Sequence, residues 1–298
     1  MLPGAIQFDM KSKITGRTYR IFVAAPSGPP PHTGYPAVYL LDARTTFATV
    51  ASQARIAQSE GRPPMLIVGI GYPDDGASLL LRNRDLTPSE PTGLSRAEMV
   101  KDYGPIKAGD YGRAEAFHRF MMAELRPRIL GLYRVDLHNQ SLMGYSFGGL
   151  FALHVLFEQP DAYRTFVVGS PSIWWNDREV LQGEARLVSA VRAGKVAPRI
   201  LVTSNEWEQF AGAPGRTPAD LKFTEWARMV DNARELESRL QAIKGSDGYD
   251  VRYFLFSQET HVSGTSSGKP GPGVHLASLN HSSGEFAQTM KAQLSDTR

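Results

Sequence analysis

The chain has 298 residues, 42% hydrophobic and 21% charged, proportions that suit a globular protein with a sizeable core. Its formal net charge is only +3 and no Lys/Arg block stands out, so nucleic-acid binding has no basis. Cysteine is absent, which excludes disulfides, zinc–thiolate centres and a thiol nucleophile, and no apolar run reaches the roughly 18 residues of a membrane-spanning helix.

The opening stretch, Met1 to Gln7, has neither a basic nor a long apolar region. A cytoplasmic location is expected, or a periplasmic one with an export signal already removed. Strands are predicted at Ile6–Met10 and Thr18–Ala24. With no helix between them, they read as an antiparallel hairpin at a sheet edge. Ser27 to Gly34 is a Pro/Gly-rich surface connection. A strand at Ala37–Leu41, a helix at Phe47–Ser59 and a strand at Met65–Ile70 follow. Residues 72–111 are too long and polar for a simple loop and are expected to form a lid or rim. The stripe Phe117, Phe120, Met121, Leu125 marks an amphipathic helix over Arg113–Leu130. Beyond it, strands at Gln140–Met143, Thr165–Val168, Ile200–Thr203 and Val251–Phe256 alternate with helices at Gly149–Glu158, Arg178–Val191 and Thr224–Ile243. Residues 262–284 are Gly/Ser-rich and expected to be a flexible loop. Near-continuous apolar strands alternating with helices predict an α/β fold, a three-layer α/β/α sandwich around a mostly parallel sheet, in a single domain over 1–298.

The most informative segment is Gly144-Tyr145-Ser146-Phe147-Gly148-Gly149, between the run Ser141-Leu142-Met143 and the helical pattern that starts at Leu150. A G-x-S-x-G at a strand-to-helix junction is the layout of a nucleophile elbow, in which the serine rides a sharp turn and flanking glycines let the two elements pack closely. Gly264-Thr265-Ser266-Ser267-Gly268 fits the same pattern but lies in Gly/Ser/Pro-rich sequence with no helix after it, and reads as loop.

A serine hydroxyl needs a base, and in α/β-hydrolases the chain order is serine, acid, histidine. Of seven histidines, His32, His118 and His138 precede Ser146, and His154 lies in the helix behind it. His261, His275 and His281 remain. His261 is favoured because it follows the strand Tyr253-Phe254-Leu255-Phe256 after a short loop; His281 is the alternative. The acid should leave the strand Ile200–Thr203, where both Glu206 and Glu208 qualify. Glu208 is favoured, and a Ser–His dyad without an acid stays open. An oxyanion hole needs two backbone N–H donors. The Phe147 amide is one, and the turn after the third strand supplies the other from Ala43 or Arg44, with Arg44 preferred. Asp42 in that turn reads as a turn or cap carboxylate.

These residues resemble the siderophore (enterobactin-type) esterases and related esterases of the α/β-hydrolase superfamily. The likeness runs from about Thr18 to His261 and rests on several segments. Pro36 to Asp42 and Ile67 to Tyr72 look like two of the family's strands. Arg82-Asn83-Arg84-Asp85-Leu86-Thr87-Pro88 is similar to its R-x-R-D-(Y/L)-T-P segment, and Phe117 to Tyr133 to its following helix. Gly144 to Gly149 matches the elbow and Ser170-Pro171-Ser172 a later turn. Asn205-Glu206-Trp207-Glu208-Gln209 is similar to G-E-x-E-Q, and Phe256 to His261 to F-x-x-E-x-H. The resemblance implies an α/β-hydrolase fold with Ser146 as nucleophile, His261 as base and the Arg44 amide as oxyanion donor. It transfers the acid less firmly, because some members use a dyad. Two departures stand out: Ala43 replaces the usual Gly, and the tail after His261 is rich in Gly, Ser and Pro.

The expected activity is carboxylic-ester hydrolysis through an acyl-enzyme, on a siderophore-type or related small-molecule ester. A generic short-chain carboxylesterase or an acyltransferase of the same fold is the alternative. Arg82 and Arg84 in the rim, and Trp174-Trp175, could hold an anionic aromatic substrate through charge and stacking. They could equally serve structure, with Arg82 paired to Asp85 or nearby carboxylates and the tryptophans packed. No metal or organic cofactor is implied.

Overall fold

The apolar runs become the inner strands of one mixed sheet. The computed structural model describes residues 4–73, 75–210 and 217–263. Its strands are β1 (Ala5–Lys11), β2 (Thr18–Ala24), β3 (Tyr35–Leu40), β4 (Leu66–Gly71), β5 (Val135–Tyr145), β6 (Thr165–Gly169), β7 (Arg199–Asn205) and β8 (Asp250–Phe256). They form an eight-stranded sheet in the order β1-β2-β4-β3-β5-β6-β7-β8. The β1–β2 hairpin is antiparallel, as is β2 on β4, and every pair from β4 through β3 to β8 is parallel. Every residue of β3, β4 and β6 is buried, as strands covered on both faces require.

Helices cover both faces. They are α1 (Ala43–Ser59), α2 (Asp75–Leu86), α3 (Gly93–Tyr103), α4 (Ala114–Phe120), α5 (Arg126–Leu130), α6 (Phe147–Glu158), α7 (Glu184–Arg192), α8 (Pro218–Ala227) and α9 (Met229–Gln241). On one face α1 sets Phe47, Val50, Ala51 and Ala54 against Val38, Leu40, Ile67, Met143, Val167 and Leu201. On the other, α4, α6 and α9 bring Phe117, Phe151, Leu153 and Leu236 to Tyr39, Val68, Leu142, Phe166 and Val202. This is the three-layer arrangement predicted, with the hairpin at the edge.

Three predicted helices are more broken than their apolar pattern. Arg113–Leu130 becomes α4 and α5 joined by a π-helical turn over Met121–Leu125. Pro127 has no N–H to donate, and the wide turn before it re-registers the hydrogen bonds. Arg178–Val191 begins with a 3₁₀ turn, Glu179–Gly183, ahead of α7. Thr224–Ile243 splits into α8 and α9 because Arg228 takes a left-handed conformation at φ 46°. The 72–111 segment holds two unpredicted helices, α2 and α3. The second serine pattern at Gly264–Gly268, His275, His281 and most of the 262–284 loop lie outside the described residues.

Candidate active site

The sheet brings distant turns to one end. In the β3–β5 pair Leu40 stands opposite Met143, so Asp42 and Ser146, just past those positions, emerge side by side. Chain connections leave β3 toward β4 on one side and reach β5 on the other, and such a switch point is where open parallel sheets place their ligand sites. The parallel strands β6, β7 and β8 end in the same direction and deliver Ser170, Glu208 and His261.

Ser146 sits at φ 61°, ψ −119°, a conformation costly for a residue with a side chain. Close packing holds it there. A Cβ on Gly144 would come within 2.1 Å of the Gly148 carbonyl oxygen, and one on Gly149 within 2.5 Å of the Gly169 carbonyl oxygen. The Ser146 amide donates to Gly169 O (2.9 Å), and its carbonyl accepts from Leu150 N (2.9 Å) as α6 begins. Phe147 is therefore the first residue of α6, where amides lack an intrahelical partner. Across the site, the first turn of α1 is arranged alike. Asp42 is left-handed at φ 54° and its carbonyl accepts from Thr45 and Thr46, so Ala43 and Arg44 open that helix. The positive φ falls on Asp42, not on residue 43. Ala43 therefore needs no left-handed backbone, and its methyl packs over Gly69, where a second Cβ would approach to 2.7 Å.

On the opposite side, His261 Nδ1 lies 2.7 Å from Glu208 Oε1. Glu208 is buried at 3% exposure, whereas the His261 side chain is 43% exposed. The same carboxylate accepts from the Asn205 amide (2.9 Å, Oε2) and from Asn205 Nδ2 (2.9 Å, Oε1), closing a capping box around the 3₁₀ turn Glu206–Glu208. Burial alone pushes its pKa up. The hydrogen bond and charge of His261, the Asn205 amide and Ser170 outweigh it and hold the carboxyl below its usual value. Glu206 is committed elsewhere, accepting from the Gln258 amide at 2.8 Å. Of the two predicted acids, Glu208 alone meets the histidine among these contacts.

Two residues that the sequence did not single out complete this arm. The Tyr145 hydroxyl accepts from Asn205 Nδ2 (2.6 Å) and lies 3.1 Å from Glu208 Oε1 and 2.8 Å from the His261 carbonyl. Burial and the neighbouring Glu208 charge raise its pKa well above that of a free phenol, so it stays neutral. Asn205 also reaches Ser170 Oγ at 3.2 Å. Tyr145 is the first variable position of G-x-S-x-G and Asn205 the last residue of β7, so the available signal was their position at strand ends.

Two cavities meet at Ser146 and His261. One, of about 430 Å³, is lined by Asp42, Arg44, Tyr72 and Leu79. The other, of about 390 Å³, is lined by Met99, Phe147, Trp174 and Phe223. Arg82 and Tyr103 belong to both walls. The structural reading of Arg82 as paired to a nearby carboxylate holds, with Asp42 as the partner and not Asp85. Arg82 binds Asp42 through two contacts of 2.7 and 2.9 Å, while Arg84 takes Asp85 at 2.7 Å. Trp174 faces the second cavity beside Phe223 at 5.7 Å. Trp175 is fully buried, packed on Tyr111 and Phe147, with its indole N–H directed to Ser89 Oγ. It has no surface for a ligand, in contrast to the substrate contact expected. His118 and His154 are packing histidines. Burial pushes both pKa values down, His118 to about 4.

Residues 12–261 match the family model described as "Putative esterase". Ferri-bacillibactin esterase BesA of Bacillus subtilis (strain 168) is 37% identical over 266 residues, covering 88% of this chain and 86% of BesA. Among solved structures, the BES protein from Bacillus cereus matches with a TM-score of 0.73 at 31% identity, covering 88% of this chain and 92% of that one. Siderophore hydrolase EstA from Aspergillus nidulans matches with a TM-score of 0.77 at 27% identity, covering 94% and 96%. With the match reaching from Ser12 to the histidine that faces Glu208, the chain belongs to this esterase family, adopts the α/β-hydrolase fold and is a carboxylic ester hydrolase.

Proposed function

We propose that the chain hydrolyses ester bonds of a siderophore through a Ser146 acyl-enzyme. His261 takes the Ser146 proton as the hydroxyl attacks the ester carbonyl, then returns it to the leaving alcohol. Glu208, bound to Nδ1, keeps Nε2 as the working nitrogen and stabilises the imidazolium. The Phe147 and Arg44 amides hold the tetrahedral oxyanion, and water releases the acyl group by the same steps in reverse order of partners. The observation that carries this reading is the 2.7 Å His261–Glu208 contact across a shared cavity from a strained Ser146. The substrate class is inferred from relatives whose names specify siderophore esters. It suits a site with two cavities meeting at the serine, since each half of a bulky ester needs its own space.

A fluorophosphonate probe should label the wild type at Ser146, and Ser146→Ala should lose at least about 10³-fold in ester turnover. Equal turnover by both proteins would sink the mechanism. For the substrate, kcat/KM is compared on ferric and iron-free siderophore esters and on p-nitrophenyl butyrate. A clear preference for the short-chain ester would mark a general carboxylesterase instead.

A further inference from the structure

Arg82 stands at the junction of the two cavities, where a guanidinium invites assignment as an anion-binding group. Three of its five N–H donors are already spent on the protein. Nε and Nη2 make a forked pair with Asp42 Oδ1 and Oδ2 at 2.7 and 2.9 Å, and Nη2 also donates to the Tyr145 carbonyl at 3.1 Å. The guanidinium carbon lies 5.5 Å from the Phe147 ring centre. Both side chains of the pair are largely buried, 18% and 16% exposed. Their partners are informative by position: Asp42 is the residue from which the first turn of α1 starts, and Tyr145 and Phe147 flank Ser146. The Asp42 carboxylate also lies against α6, 3.4 Å from where a Cβ on Gly148 would stand. One planar fork therefore ties together the two helix starts that carry the Arg44 and Phe147 amides.

We propose that Arg82 is a positioning residue, which acts through Asp42 and the Tyr145 carbonyl to set the distance between the two oxyanion donors, and does not serve to bind the substrate's charge. The proposal rests on the reading of Ser146 as nucleophile and of those amides as the oxyanion hole. Two donors must converge on a single oxygen, and displacement of one by a fraction of an ångström lowers transition-state stabilisation without changing ground-state binding. Asp42 adopts a left-handed turn that nothing in its own side-chain capping supports, since its carboxylate makes no cap hydrogen bond and goes to Arg82 instead. The fork geometry is specific to arginine. The helix that supplies it is itself anchored one turn on, where buried Asp85 receives Tyr19 at 3.0 Å, Tyr72 at 3.3 Å and Arg84 at 2.7 Å.

The test uses p-nitrophenyl butyrate, an uncharged ester that offers a guanidinium nothing to bind. Arg82→Ala and Asp42→Asn should each lower kcat by about 10- to 100-fold with KM within about 3-fold of wild type. Inhibition by a trifluoromethyl ketone, whose adduct carries the oxyanion, should weaken in proportion to kcat/KM. Because both substitutions cut the same link, the double variant should be no slower than the slower single one. The proposal is overturned if Arg82→Ala keeps its kcat on this ester and raises KM only for an anionic one, or if the two losses multiply. If thermal melting finds Arg82→Ala unfolded, Arg82→Lys, which keeps the charge and loses the fork, replaces it with the same expected drop and the same overturning results. Ser146→Ala run alongside separates the two levels: undiminished turnover there removes the underlying mechanism, whatever Arg82 does.

Discussion

The two arms of the site are held by different means. The serine arm is a matter of backbone: Ser146 stays in its unfavourable conformation because Gly144 and Gly149 let β5, α6 and the end of β6 come within distances no side chain would allow. The histidine arm depends on side chains: Glu208 is oriented by Asn205, Tyr145 and Ser170, and it orients a His261 that is 43% exposed. Backbone packing has no intermediate state, so damage to the first arm should be all-or-none. A hydrogen-bond network loses one contact at a time, so damage to the second should be graded.

The sharpest way to break this comparison is Gly144→Ala. With a Cβ 2.1 Å from a backbone oxygen, β5 and α6 must separate. We expect a loss of more than about 4 kcal/mol of stability, or no soluble protein, together with all esterase activity, read by thermal melting and fluorophosphonate labelling. A well-folded, active variant would show that the packing is not what holds the turn.

Glu208→Gln comes next. It keeps the shape and removes the charge that, in the mechanism proposed, stabilises the imidazolium, and kcat should fall by about 10²- to 10⁴-fold with the fold intact. A fall of less than about 10-fold would mean that Ser146 and His261 work as a dyad. The same variant has a pH signature. The folded-state pKa of Glu208 is held below its ordinary value of 4.5, so its stabilising contribution is fully present above that pH and is lost as pH falls through the lowered value. The Tm gap between wild type and Glu208→Gln should therefore narrow on acidification below about pH 4.5. A gap that widens would reverse the sign assigned to the buried carboxylate.

The smallest effect is expected from Tyr145→Phe. It deletes one hydroxyl shared by Asn205, Glu208 and the His261 carbonyl. About 1 kcal/mol of stability and a 3- to 10-fold drop in kcat are expected, with KM little changed. A loss as large as that of Glu208→Gln would place Tyr145 among the groups that handle the proton.

Much of this was readable in the chain itself, and the residues show why. The elbow is local: Ser146 and its glycines are contiguous, and the strand before and helix after them are short-range patterns. Strand order along the chain also narrowed the histidines and acids, because open parallel sheets bring the ends of successive strands to one side. The break at Arg228, the π turn before Pro127 and the two helices within 72–111 were not readable, since the apolar period continues through the breaks and is weak within 72–111.

What the sequence alone determined, then, is the kind of molecule: an alternating α/β chain with a serine at a strand-to-helix turn, both consequences of local periodicity and glycine spacing. What only the tertiary structure decided is pairing. Glu208 meets His261 while Glu206 ties down Gln258, Arg82 takes Asp42 and leaves Asp85 to Arg84, and Trp175 is sealed in the core while Trp174 faces a cavity. Each of those choices lies between candidates a few residues apart in sequence. They are separated only by which side of a turn or helix faces a strand far along the chain, and that is settled by packing and by the pairing of buried charged groups with partners.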